Sequence, residues 1–219
     1  MPKKEFAVFG LGEFGKSVAL SLAKCGCEVL AVDNDSEKIK EIADFVTYAV
    51  TADVTDFNVL KSLGLRNLDG VIVAIAESLE ASVMATIFAK ELGVPYVMAK
   101  AYTEVHATVL KKVGADAIAF PEKEMGARIA KNLVSGNFVD LIELSSKFSM
   151  VEMKVPECWY GKTLRELNPR DKLGVNVIAA KSGDEVNVNL DPDDPFKATE
   201  TLIIVGDNNM LERMAKNNS

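Results

Sequence analysis

The chain predicts an α/β protein: a six-stranded doubly wound parallel sheet over residues 1–138, followed by a small α+β domain over residues 139–219. Three observations carry that expectation. A glycine-rich turn, Gly10-Leu11-Gly12-Glu13-Phe14-Gly15, joins an apolar run to an amphipathic one. Apolar runs and helical patterns then alternate strictly as far as Leu133. After Ser135-Gly136-Asn137 the texture becomes strand-rich. Alternation of this kind needs helical crossovers between parallel strands, whereas a strand-rich tail with tight turns pairs antiparallel.

Each element has its own sequence signal. Phe6 to Phe9 reads as a buried strand, the apolar segment after Gly15 as a helix, and Val29 to Val32 as a second buried strand ending on Asp33. Ser36 to Asp44 reads as a helix with Ile39, Ile42 and Ala43 on one face, Val46 to Val50 as a strand, and Asp56 to Leu63 as a helix closed by Gly64. Val71 to Ile75 is a continuous apolar run, the mark of a parallel strand covered on both faces. Leu79 to Leu92, Tyr96 to Ala99, Glu104 to Val113, Ala117 to Phe120 and Glu122 to Leu133 continue the alternation, and the strand order expected is 3-2-1-4-5-6. Beyond it, Val139 to Leu144, Met150 to Val155, Val175 to Lys181, Glu185 to Leu190 and Thr201 to Val205 read as strands. Ser182-Gly183 is a hairpin turn, and a short closing helix includes Leu211 to Met214.

Composition narrows the function classes. Of 219 residues, 48% are hydrophobic and 26% charged, which suits a soluble globular chain, and no apolar run approaches the roughly 20 residues of a membrane span. The start, Met1-Pro2-Lys3-Lys4-Glu5-Phe6, lacks the apolar core of a secretory signal. A net charge of −7 argues against broad nucleic-acid binding and against adhesion to anionic lipid. Cys25, Cys27 and Cys158 form neither a disulfide framework nor a metal spacing, so reduced thiols and a cytoplasmic location are expected.

The first βαβ unit is the Rossmann-like fingerprint of a nucleotide site. Gly10 permits the tight turn, Gly12 lets backbone N–H groups approach a phosphate, Gly15 lets helix pack on strand, and Asp33 is placed to accept from ribose hydroxyls. Ligands in such sheets lie beyond the carboxyl ends of the strands, which here carry Asp33-Asn34-Asp35, Asp53-Val54, Ile75-Ala76-Glu77, Lys100-Ala101 and Pro121-Glu122. Asp53 is either an adenine-amino acceptor or a turn acid. Lys100 is either a cation facing a phosphate or a snorkelling surface lysine. His106 reads as an exposed histidine unless a ligand reaches it. Glu122 either complements a helix dipole or helps bridge a hard cation to a phosphate. Glu13 is the anomaly: a carboxylate in the turn opposes a phosphate unless it points outward or faces a cation. The last 80 residues hold no Ser/His/Asp set, Cys/His pair or clustered metal ligands, so a non-catalytic binding module fits better than an NAD-dependent oxidoreductase. A redox-sensing transcription regulator would need a basic DNA-reading element that this acidic chain lacks.

Four segments sharpen the reading: residues 6–15, Ser62-Leu63-Gly64-Leu65-Arg66-Asn67, Val71-Ile72-Val73-Ala74-Ile75 and Phe120-Pro121-Glu122-Lys123-Glu124-Met125-Gly126. Together they resemble the RCK family, cytosolic regulators of potassium conductance, and its Ktr/Trk-type potassium-uptake subunits in particular. Residues 164–174, Leu-Arg-Glu-Leu-Asn-Pro-Arg-Asp-Lys-Leu-Gly, resemble the companion C-terminal RCK subdomain. The resemblance implies a homo-oligomeric ring, commonly an octamer, docked on a separate potassium-translocating membrane subunit, with no insertion of its own. It implies ATP, ADP or NAD(H) in the N-terminal domain, touched by Gly10, Gly12, Glu13, Phe14, Gly15, Asp33 to Asp35, Asp53, Val54, Ile75, Ala76, Glu77, Lys100, Ala101, Tyr102 and His106. Glu122 matches an acid that helps hold a divalent cation at a subunit interface. Leu164, Arg165, Arg170, Gly174, Val175 and Asn176 match a stretch that binds cyclic di-AMP in some relatives and otherwise packs as a dimer turn. Two departures stand out: Glu13 replaces an arginine that serves the terminal phosphate in ATP-responsive relatives, and Asp171 replaces a small apolar residue.

Overall fold

The computed structural model describes residues 3–75, 78–134 and 138–216. Its backbone groups into two compact units, residues 1–122 and 123–219. The first is built on strands β1 (Glu5–Phe9), β2 (Glu28–Asp33), β3 (Tyr48–Thr51), β4 (Gly70–Val73), β5 (Val97–Lys100) and β6 (Ala117–Ala119). They pair parallel throughout in the order β3-β2-β1-β4-β5-β6, the order expected from the sequence. The crossovers are α1 (Glu13–Lys24), α2 (Ser36–Ile42), α3 (Phe57–Ser62), α4 (Leu79–Glu91) and α5 (Glu104–Lys112), and α6 (Pro121–Val134) follows the last strand.

Alternation along β1 explains why both faces need cover. Ala7 and Phe9 point into a core with Val32, Val73, Leu60 of α3, Ala85 and Ala89 of α4 and Leu110 of α5. Val8 points the other way, into a core with Val29, Ala31, Ile72, Ala19 of α1 and Ile39 and Ile42 of α2. A strand wet on one face would alternate apolar and polar; these are apolar on both. Element ends differ from the sequence reading by a few residues because caps decide them. Asp35 caps α2 by accepting from Glu37 N at 2.9 Å, and that helix gives way to a 3₁₀ turn at Ala43–Phe45. Asp56, read as the first residue of α3, is instead its N-cap.

The second unit carries an antiparallel sheet in the order β10-β9-β11-β8-β7, formed by β7 (Phe138–Glu143), β8 (Phe148–Lys154), β9 (Asn176–Ser182), β10 (Glu185–Asn187) and β11 (Thr201–Asp207). Val151, Met153, Leu202 and Ile204 share one buried face with Trp159, Phe196, Leu211 and Met214. The connection before β9 holds α7 (Leu164–Leu167) and α8 (Pro169–Leu173), two helices not anticipated from the sequence. Thr163 and Glu166 form a capping box at α7, and Asn168 turns left-handed at φ 43° so that Pro169 opens α8. The closing helix α9 (Asn208–Lys216) packs through Leu211, Met214 and Ala215.

Candidate functional site

At the carboxyl ends of β1, β2, β3 and β4 lies a cleft of about 250 Å³. The connections after β1 and β4, neighbours in the sheet, leave toward opposite faces there, and that divergence opens a crevice in doubly wound folds. Gly10 turns at φ 88°, which an L side chain adopts only under strain. Gly12 caps α1 in an extended conformation with no side-chain cap, so the helix start is left to whatever enters the cleft. A Cβ on Gly12 would meet nothing within 4 Å, whereas one on Gly15 would overlap the Gly10 carbonyl.

Asp33 is 6% exposed and is already engaged. Its Oδ2 accepts from Leu11 N at 2.6 Å and its Oδ1 from Asp35 N at 2.9 Å. The carboxylate therefore braces the glycine turn while Asp33 also lines the cleft, and a carboxylate can accept more than these two bonds. Lys38 of α2 stands 3.7 Å from the same Oδ2 and lines the cleft. Sequence reasoning missed this cation. Its signal is positional, a lysine in the first turn and a half of the helix that follows the ribose acid.

The cleft brings together seven of the expected residues: Gly10, Gly12, Asp33 and Asn34 from the first two strand ends, Asp53 and Val54 from the third, and Ile75 from the fourth. Ser78 and Ala81 at the start of α4 complete its wall and were not anticipated. Asp53 also acts as a turn acid: its Oδ1 accepts from Thr55 N at 2.8 Å and Thr55 Oγ1 at 2.7 Å, and the hydroxyl bond, then the amide bond, lower its pKa. Ala76 and Glu77 lie outside the described residues.

Other expected contacts fall outside the cleft lining. Glu13 is exposed at the first position of α1, where its charge adds to the field that raises the Lys16 pKa, behind the hydrogen bond from Lys16 to Glu41. Asp35 is occupied by its cap on α2. Phe14 is half-buried, Gly15 and Ala101 buried, and Tyr102 exposed.

Lys100 is not a snorkelling surface lysine: its ammonium is buried and paired. It is 6% exposed, 2.5 Å from Glu122 Oε1, with its Nζ 5.6 Å from the Phe14 ring and 5.1 Å from the Tyr102 ring. The bond from Lys100, then one from its own backbone, lowers the Glu122 pKa. Glu122 thus has a buried ammonium beside it, and no cluster of three or more His, Cys, Asp or Glu ligands occurs among the described residues. The expectation of an exposed His106 is also corrected. His106 is 7% exposed, because α5 turns it toward α4, and its Nε2 lies 2.7 Å from Ser82 Oγ.

In the second unit the residues of the expected second site divide. Arg165 is tied bidentately to Asp193, Nε to Oδ1 at 2.6 Å and the terminal nitrogen to Oδ2 at 3.0 Å, across the turn cluster. Val175 is fully buried in the core, so its side chain packs instead of facing a ligand. Leu164 is half-buried and joins the same core, while Arg170, Gly174 and Asn176 are exposed. Asp171 accepts from Asn168 Nδ2 at 2.8 Å, which ties its charge to the α7–α8 corner.

Two family models match the chain, the TrkA-N domain over residues 6–121 and the TrkA-C domain over residues 150–218. The chain belongs to the TrkA-N/TrkA-C family of Ktr- and Trk-type potassium-uptake proteins. It is 45% identical to Ktr system potassium uptake protein C of Bacillus subtilis, over 98% of this chain and 97% of that one. It is 40% identical to Ktr system potassium uptake protein A of the same organism, over 96% and 95%. Among solved structures, the GsuK channel bound to NAD shares the fold of this chain at 16% identity and a TM-score of 0.65. That match covers 100% of this chain and 40% of the channel.

Proposed function

We propose that this family member is a non-catalytic cytoplasmic regulatory subunit of a potassium-uptake system, and that an adenine nucleotide bound in the cleft sets its conformation. Gly12 carries the reading. The fold does not need glycine there, since its backbone is extended at φ −63° and ψ 178° and a Cβ would meet only open space. A glycine at an uncapped helix start makes physical sense if a phosphate approaches the backbone N–H groups closely. Asp33 then presents its spare lone pairs to a ribose, and Lys38 supplies the one cleft cation among the described lining residues.

ADP, ATP and NAD(H) all carry the ribose and phosphate that these groups suit; the NAD-bound channel supports that ligand class, and the relatives named as potassium-uptake proteins support the regulatory setting. The subunit would act as a homo-oligomeric ring, an octamer in our reading, on a potassium-translocating membrane protein. Residues 1–138 would read the nucleotide and 139–219 would serve dimerisation. No helix among the described residues is long and apolar enough to cross a membrane. A nucleotide that binds one ring conformation preferentially biases the pore by that difference in affinity. A divalent cation near Glu122 would need its other ligands from nucleotide phosphate and a neighbouring subunit, because Lys100 occupies one side of the carboxylate. Cyclic di-AMP at the α7–α8 corner would engage Arg170, whereas Arg165 would first have to leave Asp193.

Gly12→Ser tests the cleft. Serine is a good N-cap, so the melting temperature should hold or rise, while its side chain blocks the phosphate. Calorimetry should show ADP affinity reduced about tenfold or more. Unchanged affinity would remove the nucleotide from this cleft.

A further inference from the structure

Lys38 is out of place by the rules that build α2. It is the third residue of a helix that starts at Ser36, and a cation in the first turn is opposed by the helix dipole. Nor is it a lysine extended into water. Its side chain is 44% exposed and lines the cleft, with Nζ 3.7 Å from Asp33 Oδ2. That separation makes an ion pair but exceeds a hydrogen bond, so the ammonium spends no N–H on the carboxylate.

The cation also does not stand where a phosphate is expected. A phosphate suits Gly12, at the uncapped start of α1, whereas Lys38 is paired with the acid that ends β2. Asp33 is fixed there by its bonds from Leu11 N and Asp35 N. A carboxylate at this strand end accepts from a ribose 2′-hydroxyl in folds of this kind. A hydroxyl has one proton to give and lone pairs with which to receive. Between an Oδ2 and an Nζ 3.7 Å apart, one oxygen can lie about 2.8 Å from both. It then donates to the carboxylate and accepts from the ammonium. A phosphate oxygen in the same place would face Asp33 as one anion facing another.

We propose that Lys38 is a ligand-contacting, specificity-determining residue: with Asp33 it reads the ribose 2′-hydroxyl from both sides, so the cleft selects ribonucleotides over 2′-deoxyribonucleotides. The proposal rests on the nucleotide reading of the cleft and adds which part of the ligand the cation serves. Lys38 acts on the sugar, and the phosphates are left to the backbone of the glycine turn. An ammonium that only attracted anions would strengthen ADP and 2′-deoxy-ADP alike, because the two carry the same charge. One that only neutralised Asp33 would act on stability and leave the sugar preference alone.

The test is calorimetric titration of ADP and 2′-deoxy-ADP into the full chain and into Lys38→Met, with melting temperatures measured alongside. The parent should favour ADP by about tenfold or more, the worth of a hydrogen bond to a charged group. Lys38→Met should weaken ADP about tenfold and stay within about twofold of the parent on 2′-deoxy-ADP, so that most of the sugar preference disappears. An equal loss on both ligands would mean that the ammonium serves the phosphates, and would overturn the proposal; so would an unchanged affinity for ADP. The comparison of the two ligands in the parent needs no variant, and equal binding there would also overturn it. A parent chain that binds neither ADP, ATP nor NAD would instead sink the cleft reading, and this proposal with it.

Discussion

Gly15 packs directly on Gly10: a Cβ at Gly15 would overlap the Gly10 carbonyl oxygen and come within 3.0 Å of the Ala74 Cβ. The two outer glycines of the fingerprint are therefore structural partners, and only the middle one is open. Gly15→Ala should lower stability by about 3 kcal/mol or more, because backbone oxygen cannot yield as a flexible side chain does. Urea unfolding checks it. The contrast with Gly12→Ser separates fold from binding within six residues.

Asp33 has two duties, and a variant should reveal both. Asp33→Asn can still accept on its amide oxygen but places an N–H₂ donor against either Leu11 N or Asp35 N. A loss of about 1–3 kcal/mol of stability is expected from the orphaned buried donor, together with weaker nucleotide binding. Affinity lost with no change in unfolding midpoint would mean that the brace on the glycine turn is worth little.

Glu13 is exposed at the start of α1, where a carboxylate complements the helix dipole. Glu13→Arg should cost a few tenths of a kcal/mol in stability through that dipole, and shift preference from ADP toward ATP about fivefold. Titration of both nucleotides checks it. An unaltered ratio would mean that the side chain does not reach the phosphates.

Lys100 and Glu122 are unequal partners, with side chains 7% and 62% exposed. Glu122→Gln strands the buried ammonium and should destabilise by about 1–2 kcal/mol, less than a fully buried pair because water reaches the carboxylate. Lys100→Met in the Glu122→Gln background should recover most of that loss, since it removes the uncompensated charge. A double variant no better than the single one would show that the ring contacts of Lys100, not its charge, hold the site.

Stability should fall on mild acidification. The folded pKa of His106 lies below 6.5, so between those values the unfolded chain binds more protons and stability rises with pH. The contribution is complete above 6.5 and is lost as pH falls through the folded pKa. Asp116 adds a second loss below its ordinary 3.8, because the Val97 N–H, then burial opposed by Lys90, set its lowered pKa. Urea unfolding from about pH 7.5 to about 5 should show the first slope in the parent and not in His106→Gln.

The sequence by itself determined the sheet order, the layering and the place of the cleft. Those follow from local rules: apolar runs on both strand faces demand helices on both sides, and Gly10, Gly12 and Asp33 at fixed spacing mark the strand ends. Only the tertiary structure decided what each polar group does there. Asp33 and Asp35 spend oxygens on backbone amides, Lys100 turns to Glu122, and His106 reaches Ser82 on another helix. Lys38 enters the cleft because α2 packs beside the end of β2. Partners 22 and 24 residues apart are chosen by how helices lie on the sheet, and no periodicity in one segment encodes that choice. In the second unit the same holds for Arg165, whose partner Asp193 arrives from a turn 28 residues away.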